Sequence, residues 1–130
     1  MKNPPLILIT DDDKDFRELL ATKFRASGLQ VELAENGEQG VTKAKELAPD
    51  LILMDVKMPV MNGIEALLKL KESKETHNIR VVLLTAFGDP QQEIYSNDER
   101  FAQELGAHEY LLKTQDLEEI VKKVKSFVGK

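Results

Sequence analysis

The chain has 130 residues, with 18 basic and 23 acidic side chains and a formal charge of −5. That length suits one domain with one core, and the interleaving of Lys and Arg with Glu speaks against direct contact with nucleic acid. The absence of cysteine excludes a disulfide scaffold, thiolate catalysis and a Cys-based zinc site.

The opening MKNPPLILIT has too short an apolar run for a signal peptide, and no segment approaches membrane-spanning length. The expected location is the cytoplasm, without membrane insertion. Leu6 to Thr10 is predicted as a first buried strand, with Pro4-Pro5 keeping the lead-in extended, and Asp11, Asp12 and Asp13 follow it directly. Phe16, Leu19, Leu20, Phe24 and Ser27 recur at helical spacing, which predicts a helix over about Lys14 to Ser27 closed by Gly28. Asp13 is expected to cap it. Leu29 to Leu33 alternates at period two and reads as a half-buried strand. Asn36-Gly37 is read as a turn, after which Val41, Ala44, Leu47 and Ala48 line a helix that stops at Pro49.

Leu51 to Met54 is the most apolar strand and ends in Asp55. Pro59 cannot belong to that strand, because its missing amide would break the ladder. Asn62 then caps a third helix carrying Ile64, Leu67, Leu68 and Lys71. Ile79 to Leu84 is β-branched and nearly continuous in apolar character, as a strand covered on both faces should be, and it ends in Thr85. Asp89-Pro90 looks like a helix start, with Ile94, Phe101, Ala102 and Leu105 on one face, although Ser96-Asn97-Asp98 divides the segment. Glu109 to Leu112 is a fifth strand, and Leu117, Ile120, Val121, Val124 and Phe127 mark a last helix over about Gln115 to Val128. The pattern is (βα)5, with right-handed crossovers placing helices on both faces of one parallel sheet.

Acid thus stands at the carboxyl ends of two strands, the edge at which open parallel sheets carry their ligands. The Asp11-Asp12 pair, the segment D55-V-K-M-P-V-M-N-G63, T85-A86, and G106-A-H-E-Y110-L-L-K113 together resemble the receiver (CheY-like) domain of bacterial two-component response regulators. The resemblance spans essentially the whole chain, 1–130, with an active-site loop at 55–63 and an extended region at 86–105. It implies the doubly wound, flavodoxin-like α/β sheet in the order 2-1-3-4-5.

On chemical grounds, carboxylates gathered at one rim repel one another unless a hard cation neutralises them, and an oxygen-only donor set suits Mg²⁺. A carboxylate also accepts phosphoryl groups, forming an acyl phosphate. The resemblance makes Asp55 the phosphoacceptor and places Mg²⁺ (or Mn²⁺) on Asp11, Asp12, Asp55 and the backbone carbonyl of Lys57. It gives Lys113 and Thr85 the phosphoryl oxygens, and it makes Thr85 and Tyr110 the switch pair. The implied partners are a histidine kinase or histidine phosphotransfer protein, a downstream protein, and a second copy in a phosphorylation-dependent homodimer. The responding face is made by the 86–105 segment, the fifth strand and the last helix.

Departures from the common pattern are Thr114 where a proline is usual, the longer stretch between Thr85 and Gly106, and Lys57 and Phe87 beside the route of hydrolytic water. A non-proline cis bond costs about 2.5 to 4 kcal/mol, so Lys113–Thr114 is expected to be trans. Three other readings stand beside the free-standing receiver. One is a receiver belonging to a larger regulator or hybrid kinase. Another is a haloacid-dehalogenase-like phosphatase, which would need a general acid where Lys57 stands. The third is a degenerate receiver that only binds. His77 and His108 are expected at the surface, and Met58 under the active-site loop.

Overall fold

The computed structural model describes residues 1–85 and 106–129. The helix expected after Asp89-Pro90, with Ala86 and Phe87, lies outside them. Five strands, β1 (Leu6–Thr10), β2 (Gln30–Ala34), β3 (Leu51–Asp55), β4 (Arg80–Thr85) and β5 (Glu109–Leu112), form one parallel sheet in the order β2-β1-β3-β4-β5. The described helices are α1 (Lys14–Ala26), α2 (Gly37–Leu47), α3 (Gly63–Glu72) and the C-terminal α4 (Leu117–Phe127).

Every residue of β1 and β3 is buried, which explains the apolar runs Leu6 to Ile9 and Leu51 to Met54 that precede Thr10 and Asp55. With side chains alternating, Ile7, Ile9, Leu51, Leu53, Val82, Leu84 and Leu111 pack against α1 and α4, through Leu20, Phe24, Ile120 and Val124. Leu8, Ile52, Met54, Val81 and Leu83 face α2 and α3, through Val41, Ala44, Ala66, Leu67 and Leu70. The period of two thereby builds two cores on one sheet.

Several expected boundaries move. Strand β2 begins one residue later than its alternation suggested, because its ladder runs Leu6↔Gln30 to Thr10↔Ala34. Strand β3 extends through Asp55, which pairs in register with Leu84. Asn36-Gly37 is a helix start and not a free turn: Asn36 accepts from the Gln39 amide and Gly37 is the first helical residue. Ala48, expected on the inner face of that helix, is its exposed left-handed cap at φ 47°. Leu19 and Leu68 fit the apolar spacing but point outward, and Ala21, Ala66 and Leu70 take the inner positions. Asp13 caps α1 as expected, and Asn62 with Glu65 forms a complete capping box on α3.

The loop after β3 is fixed by backbone contacts. Gly37 N–H donates to Met61 O at 3.0 Å, Gly63 N–H to Val56 O at 2.8 Å and Val56 N–H to Leu84 O at 2.9 Å. Between them Met61 N–H donates to Pro59 O at 2.7 Å across Val60, which is exposed and sits at φ 69°. A β-branched residue is rarely held there, so the contacts on either side impose the turn. Gly63 is required by close approach: a Cβ there would lie 2.2 Å from Asp55 O. Gly63→Ala is therefore expected to lower stability by about 3 kcal/mol or more, at or above the usual cost of overpacking. Urea unfolding measures this, and an unchanged midpoint would show that the loop yields freely.

Candidate functional site

The strand ends coincide. Thr10 pairs with Met54, Asp55 with Leu84, and Thr85 with Leu112, so Asp11, Asp55, Thr85 and Lys113 reach one edge of the sheet. The Lys113 amide continues the ladder beyond β5, donating to Thr85 O at 2.7 Å. Asp11, Asp55 and Lys113 also fall on the same alternation as the core beneath α1 and α4, and their side chains converge. Lys113 Nζ is 2.9 Å from Asp11 Oδ2 and 3.5 Å from Asp55 Oδ2. The shorter contact is an ion pair without hydrogen-bond alignment.

Asp11 and Asp55 are buried, Asp12 is exposed, and one carboxylate oxygen from each lies within 4.8 Å of the others. The cluster can coordinate a divalent cation. Among the described residues the Lys113 ammonium pairs with Asp11 and Asp55, the donors of the cluster are hard oxygens, and neither His77 nor His108, both exposed, belongs to it. Asp11 is held from behind. Its Oδ1 accepts from the Asp13 amide at 2.9 Å, and its carbonyl accepts from the buried Arg17 guanidinium at 2.7 Å. Arg17 also lies 3.7 Å from Glu35.

Burial, followed by the charge of Asp11, pushes the Asp55 carboxyl up to about 7, against the pull of Lys113. Burial likewise raises Asp11, opposed by Lys113 and the Asp13 amide. Burial works against the charged form of Lys113, yet Asp11 and Asp55 outweigh it and the ammonium is stabilised. A carboxyl whose folded pKa exceeds its unfolded value binds more protons when folded. Its stabilising contribution is present below about pH 4 and is lost as pH rises through about 7. The metal-free protein should accordingly carry a penalty at Asp55 above pH 7, of the order of 2–4 kcal/mol. Asp55→Asn should be more stable than the parent at pH 8 without metal and similar to it near pH 4. Thermal melts across that range test this, and a gain independent of pH would contradict the charge argument.

Thr85 is buried and its Oγ1 has no hydrogen-bond partner among the described residues. An unsatisfied buried hydroxyl is costly unless a further acceptor arrives. Tyr110 pairs in register with Leu83, two residues before Thr85, and packs against the α2–α3 core. Thr85 and Tyr110 thus belong to the same face of neighbouring strands. Lys57 is exposed next to the buried Val56 and Met58. The one cis peptide among the described residues precedes Pro4, so Lys113–Thr114 is trans, as expected. Met58 packs in the α2–α3 core beneath the loop.

Arg17 and Phe16 take part in the site without having been singled out for it from the sequence, while Gly37 and Gly63, read there as part of a turn and as the end of the 55–63 segment, were given no role of their own. Phe16 lies under Lys113, with Nζ 4.6 Å from the ring centroid. The signals available were weak: an arginine one helical turn and a half beyond Asp11, and glycines at two helix starts.

Residues 7–125 match the response regulator receiver domain model. The chain is 40% identical over 124 residues to sporulation initiation phosphotransferase F of Bacillus subtilis, covering 94% of this chain and 92% of that protein. It is 34% identical to the DNA-binding dual master transcriptional regulator RpaA of Synechocystis, covering 95% of this chain but 49% of that protein. The chain thus spans about half the length of that relative. Among solved structures, the signal receiver domain of a signal transduction histidine kinase from Syntrophus aciditrophicus superposes with a TM-score of 0.82 at 30% identity, covering 96% of this chain and 90% of that one.

Proposed function

Because the chain belongs to the family of response regulator receiver domains, we propose that it takes a phosphoryl group from a phosphohistidine onto Asp55 and changes its surface in response. The observation that carries this reading is the convergence of Asp11, Asp12, Asp55 and Lys113 at one sheet edge, beside the Thr85 hydroxyl, which has no partner among the described residues. In the transfer, an Asp55 carboxylate oxygen attacks phosphorus, the phosphorus–nitrogen bond breaks, and the imidazole leaves with the bonding pair. Hydrolysis then returns the acyl phosphate to carboxylate and inorganic phosphate.

Asp11, Asp12, Asp55 and the Lys57 carbonyl would hold Mg²⁺, or Mn²⁺ in its place; the cation supplies charge neutralisation for the phosphoryl oxygens. Lys113 pairs with a phosphoryl oxygen, and Thr85 donates to another. No general base is needed, since the attacking carboxylate is already ionised once a cation offsets its neighbours. Catalysis here is positioning and charge, which suits a switch that is modified and reset and not one that turns over a substrate.

The donor partner is a histidine kinase or a histidine phosphotransfer protein. The unit is a single receiver domain over 1–130, with the loop 55–63 carrying the acceptor and the far side of the sheet edge contributing the face that reads it. That face, with β5 and α4, takes the downstream partner or a second phosphorylated copy. Beyond this chain, the 49% coverage of the Synechocystis regulator favours a second reading in which the receiver works as one part of a longer regulator or kinase. No helix among the described residues is long and apolar enough to cross a membrane.

A phosphoryl group can only bias arrangements already accessible, through its different interaction with each. Thr85 moving toward the new oxygens would open space on the face it shares with Tyr110, which the phenol ring is large enough to fill. Amide spectra with and without beryllofluoride should therefore change along β4 and β5, through Tyr110 to Lys113, as well as around Asp11 and Asp55. Changes restricted to Asp11–Asp13 and 55–63 would leave a phosphate shuttle as the better account.

A further inference from the structure

We propose that Phe16 is a positioning residue for Lys113, its ring face holding the ammonium at the rim while the acids around it change partners. The inference rests on the reading of Lys113 as the cation that meets the phosphoryl group.

The long lysine side chain has many rotamers to lose on ordering. The backbone that carries it is tethered by the bond from its amide to Thr85 O, but the peptide that follows is an ordinary trans bond to Thr114, with no proline ring to restrict it. Among the described residues, three groups restrain the far end. Two are the Asp11 and Asp55 carboxylates, at 2.9 and 3.5 Å. The third is the Phe16 ring, which Nζ overlies at 4.6 Å from the centroid.

These restraints differ in what happens to them during transfer. A cation at the cluster shares the charge of Asp11 and Asp55, and phosphorylation converts Asp55 to an ester-like oxygen with new anionic oxygens beyond it. Each event weakens a carboxylate contact of Lys113. The ring is neutral and takes no part in either, so its attraction for the ammonium persists throughout. Phe16 is itself fixed: its amide donates to Asp13 Oδ1 at 3.2 Å in the cap of α1, and its side chain packs against the α1–α4 core. Only 18% of the Lys113 side chain is exposed, and a cation–π contact gains strength as water is excluded.

The test compares Phe16→Leu, which keeps an apolar side chain and loses the π face, with Phe16→Tyr, which keeps both. In Phe16→Leu the rate of phosphoryl uptake from phosphoramidate at saturating Mg²⁺ should fall roughly three- to tenfold, while Phe16→Tyr stays near the parent. The Lys113 Cε protons should show an upfield ring-current shift in the parent and in Phe16→Tyr that disappears in Phe16→Leu. In a Lys113→Ala background, Phe16→Leu should cause no further slowing. Parent-like rates in Phe16→Leu, with Lys113→Ala slow, would overturn the role of Phe16 alone. Equal slowing by Phe16→Leu in both backgrounds would overturn it too, by showing a merely structural effect. Parent-like rates in Lys113→Ala would instead remove the reading of Lys113, and the inference with it.

Discussion

Asp55→Asn should gain no phosphoryl group from a small phosphoryl donor in the presence of Mg²⁺, under conditions in which the parent gains one. The amide is nearly isosteric with the carboxylate, so the side chain still fits beside Lys113 and below the loop closed by Gly63, but its oxygen is neutral and a poor nucleophile. Two other acids are close by, within 4.8 Å of Asp55, and each is tied to another task. Asp11 is buried and held by the Asp13 amide and by Lys113, and Asp12 is exposed at the start of the following loop. The loss cannot be attributed to unfolding if the variant is more stable than the parent at pH 8, as the raised pKa of Asp55 requires. Intact-mass measurement reads the gain directly. A variant that labels as well as the parent would place the acceptor elsewhere.

The second large effect separates cation binding from transfer. Asp12→Ala removes an anionic donor from a cluster of three, and Mg²⁺ affinity should fall by at least the roughly 10- to 100-fold that loss of a supporting outer-shell group typically costs a metal site. Lys113→Ala has the opposite consequence for the cation. Removing the ammonium 2.9 Å from Asp11 and 3.5 Å from Asp55 leaves more uncompensated negative charge, so Mg²⁺ should bind at least as tightly, while phosphoryl uptake slows for want of a cation on the transferring oxygens. Calorimetric titration of Mg²⁺ into both variants, paired with uptake rates, distinguishes the two roles. Equal weakening of Mg²⁺ in both would show that Lys113 serves the cation site and not the phosphoryl group.

The sequence was most legible where one requirement dominates. Strands buried on both faces must be largely apolar, so β1, β3 and β4 stood out as apolar runs, and the acids at the carboxyl ends of β1 and β3 marked the edge where the core gives way to chemistry. Strand order is different: each run is compatible with several neighbours, and the order came from resemblance to a family, to be met by the observed ladder β2-β1-β3-β4-β5. Edges of elements were read less well because spacing alone does not say which side of a helix turns inward. Leu19 and Leu68 are as apolar as the residues that pack, yet both are exposed, and small Ala21 and Ala66 occupy the tight approach to the sheet.

Within the site, residues acting through their own charged or hydroxyl groups were visible, as with Asp55, Thr85 and Lys113. For those acting through shape or backbone the role was not, even where the residue was quoted, as Gly63 was. Gly63 matters because Asp55 O leaves no room for a Cβ, and Val60 sits at φ 69° because the hydrogen bonds of its neighbours impose it. Arg17 and Phe16 act on the site from helix α1, and nothing in their spacing distinguishes a guanidinium under Asp11 or a ring under Lys113 from ordinary helix surface. The region expected to form a helix after Asp89-Pro90 lies outside the described residues.

The most direct measurement of the central claim is to trap the acyl phosphate where it forms. Treating the Mg²⁺-dependent phosphorylated protein with borohydride reduces an aspartyl phosphate to homoserine, and peptide mass mapping then locates the altered residue. The account requires homoserine at position 55, formed only when both donor and Mg²⁺ are supplied. An unaltered Asp55, with the phosphoryl group recovered on another side chain, would contradict it.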